Sequence, residues 1–125
     1  MIDHISIGVS DLDEARKFYD AVLKPLSYRC LSQDGASLGY GAEAISFWVL
    51  ASTAPVPAND ASGLHICFSA PSRQSVDAFH AAALKQGGRD NGKPGLRLDY
   101  GANYYAAFVA DPDGYRIEAY CNAPT

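Results

Sequence analysis

Apolar residues occupy alternate positions in MIDHISIGV and again in LHICFSA. Alternation is the period of a strand with one buried face. Ile5, Ile7 and Val9 share one face of the first run, leaving His4, Ser6 and Gly8 on the other. Leu64, Ile66 and Phe68 share one face of the second, leaving His65, Cys67 and Ser69. Behind each run the period changes to that of a helix. Leu12, Ala15, Phe18, Tyr19, Val22 and Leu23 predict a helix from about Leu12 to Leu26, capped by Asp11 or Ser10 and ended with help from Pro25. Val76, Phe79, Ala83 and Leu84 predict a second from about Arg73 to Gln86, capped by Ser72 and stopped by Gly87-Gly88. His80 is expected on the exposed side of that helix.

Strand-like runs follow the first helix at Tyr28–Ser32, Ser37–Tyr40 and Ile45–Leu50, separated by Asp34-Gly35 and Gly41. Positions 51–63 are rich in proline and small residues and read as a linker. After the second helix, Arg89 to Asn103 lacks a regular pattern and reads as a long loop. Such a loop in a small domain is often a lid or a binding segment. Tyr104–Ala110 and Tyr115–Cys121 form a predicted hairpin around Asp111-Pro112-Asp113-Gly114.

The chain reads as doubled. Placing His4 on His65 without gaps pairs Ile5 with Ile66, Phe18 with Phe79, Ala21 with Ala82, Leu23 with Leu84 and Lys24 with Lys85. Each half is then a strand, a helix and about three strands. The predicted class is α+β: module one spans about 1–50, the linker about 51–63 and module two about 64–122. The helices cover one face of the sheet and leave the other free to curve around a cavity.

Composition narrows the partners. The net charge of −4 and the absence of a basic stripe argue against nucleic acid. No apolar run approaches the length of a membrane span. The opening residues enter a strand at once, without the pattern of a signal peptide. Three widely spaced cysteines, Cys30, Cys67 and Cys121, suit reduced thiols and hence a cytoplasmic location.

Two histidines at matched positions of related halves would approach each other near a pseudo-twofold axis. Taken singly, a strand histidine is more often a hydrogen-bonded residue than a ligand. In YRIEAYC, however, Glu118 sits in mid-strand, where a buried carboxylate needs a partner. An ion pair with Arg116 is one solution. The other is a divalent metal held by His4, His65 and Glu118, with positions left open for water or substrate. Cys67 shares a face with His65. Tyr100, Tyr104, Tyr105 and Phe108 are candidate lining residues, and Lys93, Arg97 and Tyr100 could meet an anionic or oxygen-rich substrate.

Three segments, DHISIGVSDLDEARKFYDAVL, GLHICFSA and AFVADPDGYRIEAY, together resemble the vicinal oxygen chelate superfamily. That family includes glyoxalase I, bleomycin-resistance proteins, fosfomycin-resistance enzymes and extradiol dioxygenases. The resemblance implies paired βαβββ modules in a cupped mixed sheet with helices on its outer face, one divalent ion (Fe, Mn, Ni or Zn) and a homodimer. By position, His4, His65 and Glu118 match the family's metal-binding places. A fourth carboxylate ligand, usual in glyoxalase I-like sites, is missing, because setting GAEAISFWVL against PDGYRIEAYC brings Phe47 opposite Glu118. Phe47, Cys67, Arg97, Tyr100 and Tyr105 are then the expected substrate contacts. The function implied is a glyoxalase-like, metal-dependent enzyme that chelates neighbouring oxygens of a small substrate. Lyase or isomerase, dioxygenase and thiol-transfer chemistry are all open to it. The alternative implied is a non-catalytic small-molecule binder of the bleomycin-resistance type.

Overall fold

A computed structural model describes all 125 residues. The first module contains β1 (Ile5–Val9), α1 (Leu12–Leu23), β2 (Arg29–Gln33), β3 (Ser37–Gly41) and β4 (Ile45–Ala51). The second contains β5 (His65–Ser69), α2 (Arg73–Lys85), β6 (Arg89–Leu96), β7 (Tyr105–Ala110) and β8 (Arg116–Cys121). These build two four-stranded mixed sheets, ordered β1-β4-β3-β2 and β5-β8-β7-β6. In each, the first strand runs parallel to the last and the other neighbours are antiparallel. The fold is α+β, consistent with two βαβββ modules.

The helix starts follow from their caps. The Asp11 side chain accepts from the Glu14 amide at 3.0 Å, and Ser72 Oγ accepts from the Ser75 amide at 3.0 Å. Each satisfies an otherwise orphaned donor, a contribution of about 1 kcal/mol. Pro25 stops α1 at Leu23, and the chain tightens into a 3₁₀ turn over Lys24–Leu26. Gly87, at φ +91°, takes the left-handed conformation that ends α2.

The helices pack on each other and on one face of their own sheets. Val9, Phe18, Val22, Val49, Val76, Phe79, Val109 and Ile117 are fully buried in one core that spans both modules. Phe47 meets Phe68 edge-on across the seam, with ring centroids 5.2 Å apart. Burying a side chain of this size contributes about 1.5–3 kcal/mol. A polar clasp adds to the apolar contact. Asp111 accepts from Tyr19 Oη of α1 and from the Asp113 and Tyr115 amides of its own turn. Asp113 accepts from the Ser10 amide, and Tyr115 Oη donates to the Gly8 carbonyl at 2.6 Å.

Four expectations change. The segment from Arg89 is a strand as far as Leu96, and only the stretch beyond it is a loop. Gly92, Pro94 and Gly95 had masked it, and its pairing with β7 shifts register on both sides of Gly92. Leu84 is 45 % exposed, whereas His80 is buried and its Nε2 lies 2.9 Å from Asp90 Oδ1. Glycines at 87 and 88 bring β6 back against α2, which covers His80 and leaves Leu84 outside. His4 lies just ahead of β1, since pairing with β4 begins at Ile5. Finally, Ile5 pairs with Phe47 and Ser6 with Trp48, while Ile66 pairs with Ile117 and Cys67 with Glu118. The residue equivalent to Glu118 is therefore Trp48, and Phe47 corresponds to Ile117.

Candidate functional site

The parallel pairing of β5 with β8 puts His65 and Glu118 on the face that α2 leaves open. His65 Nε2 lies 2.7 Å from Glu118 Oε1, with the imidazole 34 % exposed and the carboxylate 5 %. The second carboxylate oxygen accepts from Tyr104 Oη, also at 2.7 Å. A buried carboxylate with both oxygens bonded avoids most of the cost of desolvation. Tyr104 stacks on Tyr120, centroids 4.0 Å apart, and Tyr100 meets it edge-on at 5.2 Å. Phe108 stands 5.9 Å from the His65 ring. Asn91 and Arg116 complete the cleft around these groups.

The electrostatics favour neutral side chains around Glu118. Burial, together with the hydrogen bond to Glu118 and its charge, raises Tyr104 well above the ordinary phenol range. Tyr104 therefore stays a donor at any physiological pH. Burial and then the Glu118 charge push the Cys67 thiol up to about 12. Cys67 is thus a thiol near neutrality, not a thiolate nucleophile.

The predicted site residues separate into three groups. His65, Glu118, Cys67 and Tyr100 come to the open face of the second sheet. Arg97 stands beside them, its guanidinium 5.2 Å from the centre of the Phe108 ring. Phe47 and Tyr105 do not join them. Phe47 is buried against Tyr19, Tyr40 and Phe68. Tyr105 turns towards α2, where its hydroxyl donates to Asp77 and Arg73 lies over its ring. Tyr104, not singled out as a partner of Glu118, is the donor that sequence reasoning missed. Strand parity held the signal, because Tyr104 shares a face with Phe108 and Tyr105 does not.

His4 is apart from the pair. Its Nδ1 lies 2.6 Å from Asp3 Oδ1, and its side chain is 51 % exposed. No three His, Cys, Asp or Glu side chains form a metal-binding group within the chain. His65 and Glu118 offer one nitrogen and one oxygen donor at a separation that suits neighbouring ligands of one ion. Within a single chain the set thus fits a metal by chemistry and falls short by number.

A separate apolar cavity of about 210 Å³ lies at the seam between modules, lined by Ile5, Tyr28, Phe47, Ile66 and Phe68 among others. It contains neither His65 nor Glu118. No helix is long and apolar enough to cross a membrane.

Comparison with known proteins gives the family. No curated protein matches the chain. A glyoxalase/bleomycin resistance protein from Albidiferax ferrireducens T118 is 32% identical, with TM-score 0.82 over 94% of this chain and 95% of that one. The fosfomycin resistance protein FosX from Mesorhizobium loti is 15% identical, with TM-score 0.68 over 97% and 91%. A V278E mutant of glyoxalase I from Zea mays is 17% identical, with TM-score 0.67 over 95% of this chain and 45% of that longer one. These last two show a shared fold. Residues 1–119 match the model of the Glyoxalase/Bleomycin resistance protein/Dioxygenase superfamily, and the chain belongs to that superfamily.

Proposed function

We propose that this chain is a glyoxalase-like enzyme for a small oxygenated molecule, working at the open face around His65 and Glu118. The observation that carries this reading is the His65–Glu118–Tyr104 chain of hydrogen bonds, both links 2.7 Å, beside an aromatic wall. His65 and Glu118 would hold two positions of a divalent ion (Fe, Mn, Ni or Zn). His4 of a second copy in a homodimer would be the third ligand. Such an ion supplies Lewis-acid polarisation of two neighbouring substrate oxygens. The chain's own side chains do the rest. Tyr104 fixes Glu118 through its second carboxylate oxygen, and Tyr100 and Phe108 keep water from the substrate's apolar part. Lyase or isomerase, dioxygenase and thiol-transfer reactions are all compatible with these roles.

Elemental analysis after mild dialysis tests the reading. About one ion per chain is expected in the wild type, lost in Glu118→Gln and in His4→Ala. Turnover by the loaded protein of a glutathione hemithioacetal, or oxygen uptake with a catechol panel, then assigns the reaction type.

One observation favours a second reading, a non-catalytic small-molecule binder: only two of the three expected ligands meet within the chain. Equal and negligible metal in the wild type and both variants, with retained ligand binding, selects it.

A further inference from the structure

We propose that the apolar cavity at the seam between the modules is a second binding site, for a neutral molecule the size of one benzene ring with a short substituent. It stands apart from the His65–Glu118 cleft, since neither of those residues lines it.

Protein interiors are close-packed and leave few voids larger than a water molecule. This cavity holds about 210 Å³. An apolar cavity of about 150 Å³ stays dry and takes up benzene. The additional room fits a short substituent on the same ring. The walls keep their shape without an occupant. Ser46 and Phe47 belong to β4, which is hydrogen-bonded on both sides, by β1 and by β3. Two tyrosines in the wall are anchored at their polar ends. Tyr28 Oη donates to the Ser69 carbonyl of the other module at 3.0 Å, and Tyr40 Oη donates to Asp20 at 2.8 Å. Their hydroxyls are thus spent, and the carbon surface of the rings is what faces the cavity. Phe47 and Phe68, edge-on to each other, complete an aromatic wall. Such a wall receives another ring by its edge or face, and a preformed one does so without a cost of reorganisation.

The charge of the occupant follows from the lining. None of the lining residues is Asp, Glu, Lys, Arg or His. The cleft, by contrast, holds His65, Arg116 and Glu118. The free polar groups of the cavity are the Ser46 and Ser69 hydroxyls and the Cys67 thiol, all on exposed residues at its mouth. Glu118, the neighbour of Cys67 on β8, has both carboxylate oxygens bonded already, to His65 and Tyr104, and gives a cation no free partner. An ion that entered would give up its water and meet no counter-charge, a cost that a neutral ring does not bear. Ile5, 39 % exposed, stands at the same mouth, so the cavity is reachable from solvent and a change at this side chain spares the core.

NMR titration of the full chain with toluene, benzoate and benzylammonium tests the proposal. Toluene is expected to saturate one site, to shift the amides of Ile5, Phe47 and Ile66 more than those of Phe108 and Glu118, and to bind at least tenfold more tightly than either ion. Ile5→Asp should weaken toluene at least tenfold. Ile5→Ala, which only trims the apolar wall, should weaken it about threefold and serves if Ile5→Asp does not fold. Equal binding of the three rings overturns the proposal, as do shifts centred on Phe108 and Glu118 or full toluene affinity in both variants. A wild type that takes no ring, while Ile5→Asp turns a dimer into a monomer, gives the cavity to a second copy and equally overturns it. Metal content should be the same with and without toluene, so a wild type that carries no metal counts against the metal enzyme alone.

Discussion

Trp48 stands in the first module where Glu118 stands in the second: Ser6 pairs with Trp48 in the one, Cys67 with Glu118 in the other. An ungapped reading of the two last strands had put Phe47 there. A slip of one residue moves every side chain to the other face. The difference is measurable. Trp48→Glu should cost less than about 1 kcal/mol, because the site is half-buried on an open sheet face. Phe47→Glu should leave no cooperative unfolding transition, because Phe47 is 3 % exposed among aromatic rings and a buried unpaired charge costs several kcal/mol. Urea denaturation of both variants checks this. A reversed order would mean that the register of β4 is wrong.

Cys67 is exposed as a residue, but its thiol is partly shielded beside Glu118 and should react slowly. Burial and the neighbouring Glu118 charge push it up to about 12. At pH 8 almost none is thiolate, the species that attacks. Alkylation by iodoacetamide, followed by peptide mass, should be severalfold faster in Glu118→Gln than in the wild type. Equal rates would remove Glu118 as a cause.

Asp111 gives stability an acid-side maximum. Burial raises its carboxyl from 3.8 to about 6, partly opposed by the hydrogen bond from Tyr19. A group raised on folding favours the folded state below its unfolded value, and this advantage is lost as pH climbs through the folded value. Melting temperature should therefore rise as pH falls from 7 towards 5, and Asp111→Asn should flatten that slope. The full effect is about 3 kcal/mol. Asp34 and Asp90 act in the opposite sense at lower pH. Backbone and side-chain hydrogen bonds hold Asp34 low, and the hydrogen bond to His80 holds Asp90 low. A melting temperature that falls between pH 7 and 5 in the wild type contradicts the assignment.

Two glycines of one module should respond differently to alanine. At Gly41 a Cβ would lie 1.9 Å from the Ala44 carbonyl oxygen, in the bulged pairing that closes β3 onto β4. At Gly35 nothing lies within 4 Å. Gly41→Ala should cost about 3 kcal/mol or more, while Gly35→Ala should stay within about 0.5 kcal/mol of wild type. Equilibrium unfolding curves provide the comparison.

Much of this fold was legible because its local signals agree. Phe18, Tyr19 and Val22 mark one helix face, Ser72 and Asp11 are real caps, and the match of His4 with His65 finds true structural equivalents in Ile5 and Ile66. What escaped has a common physical cause. β6 was unreadable because Gly92, Pro94 and Gly95 erase alternation while its backbone still pairs. His80 was misjudged because Asp90, on a strand that had been missed, supplies its partner. Tyr104 and Tyr105 are neighbours in sequence and opposites in space, and only the strand's phase tells them apart. In the site, Glu118 and His65 were readable as a pair, whereas the position of His4 depends on where strand pairing begins.

The turn at Asp111–Gly114 reaches across to Ser10, Tyr19 and Gly8, so the first module is held by the last hairpin as well as by the covalent chain. The peptide between Ala54 and Ala58 is consequently a tether more than a strut. A protease nick there should yield two fragments that co-elute as one particle under native conditions and part only in denaturant.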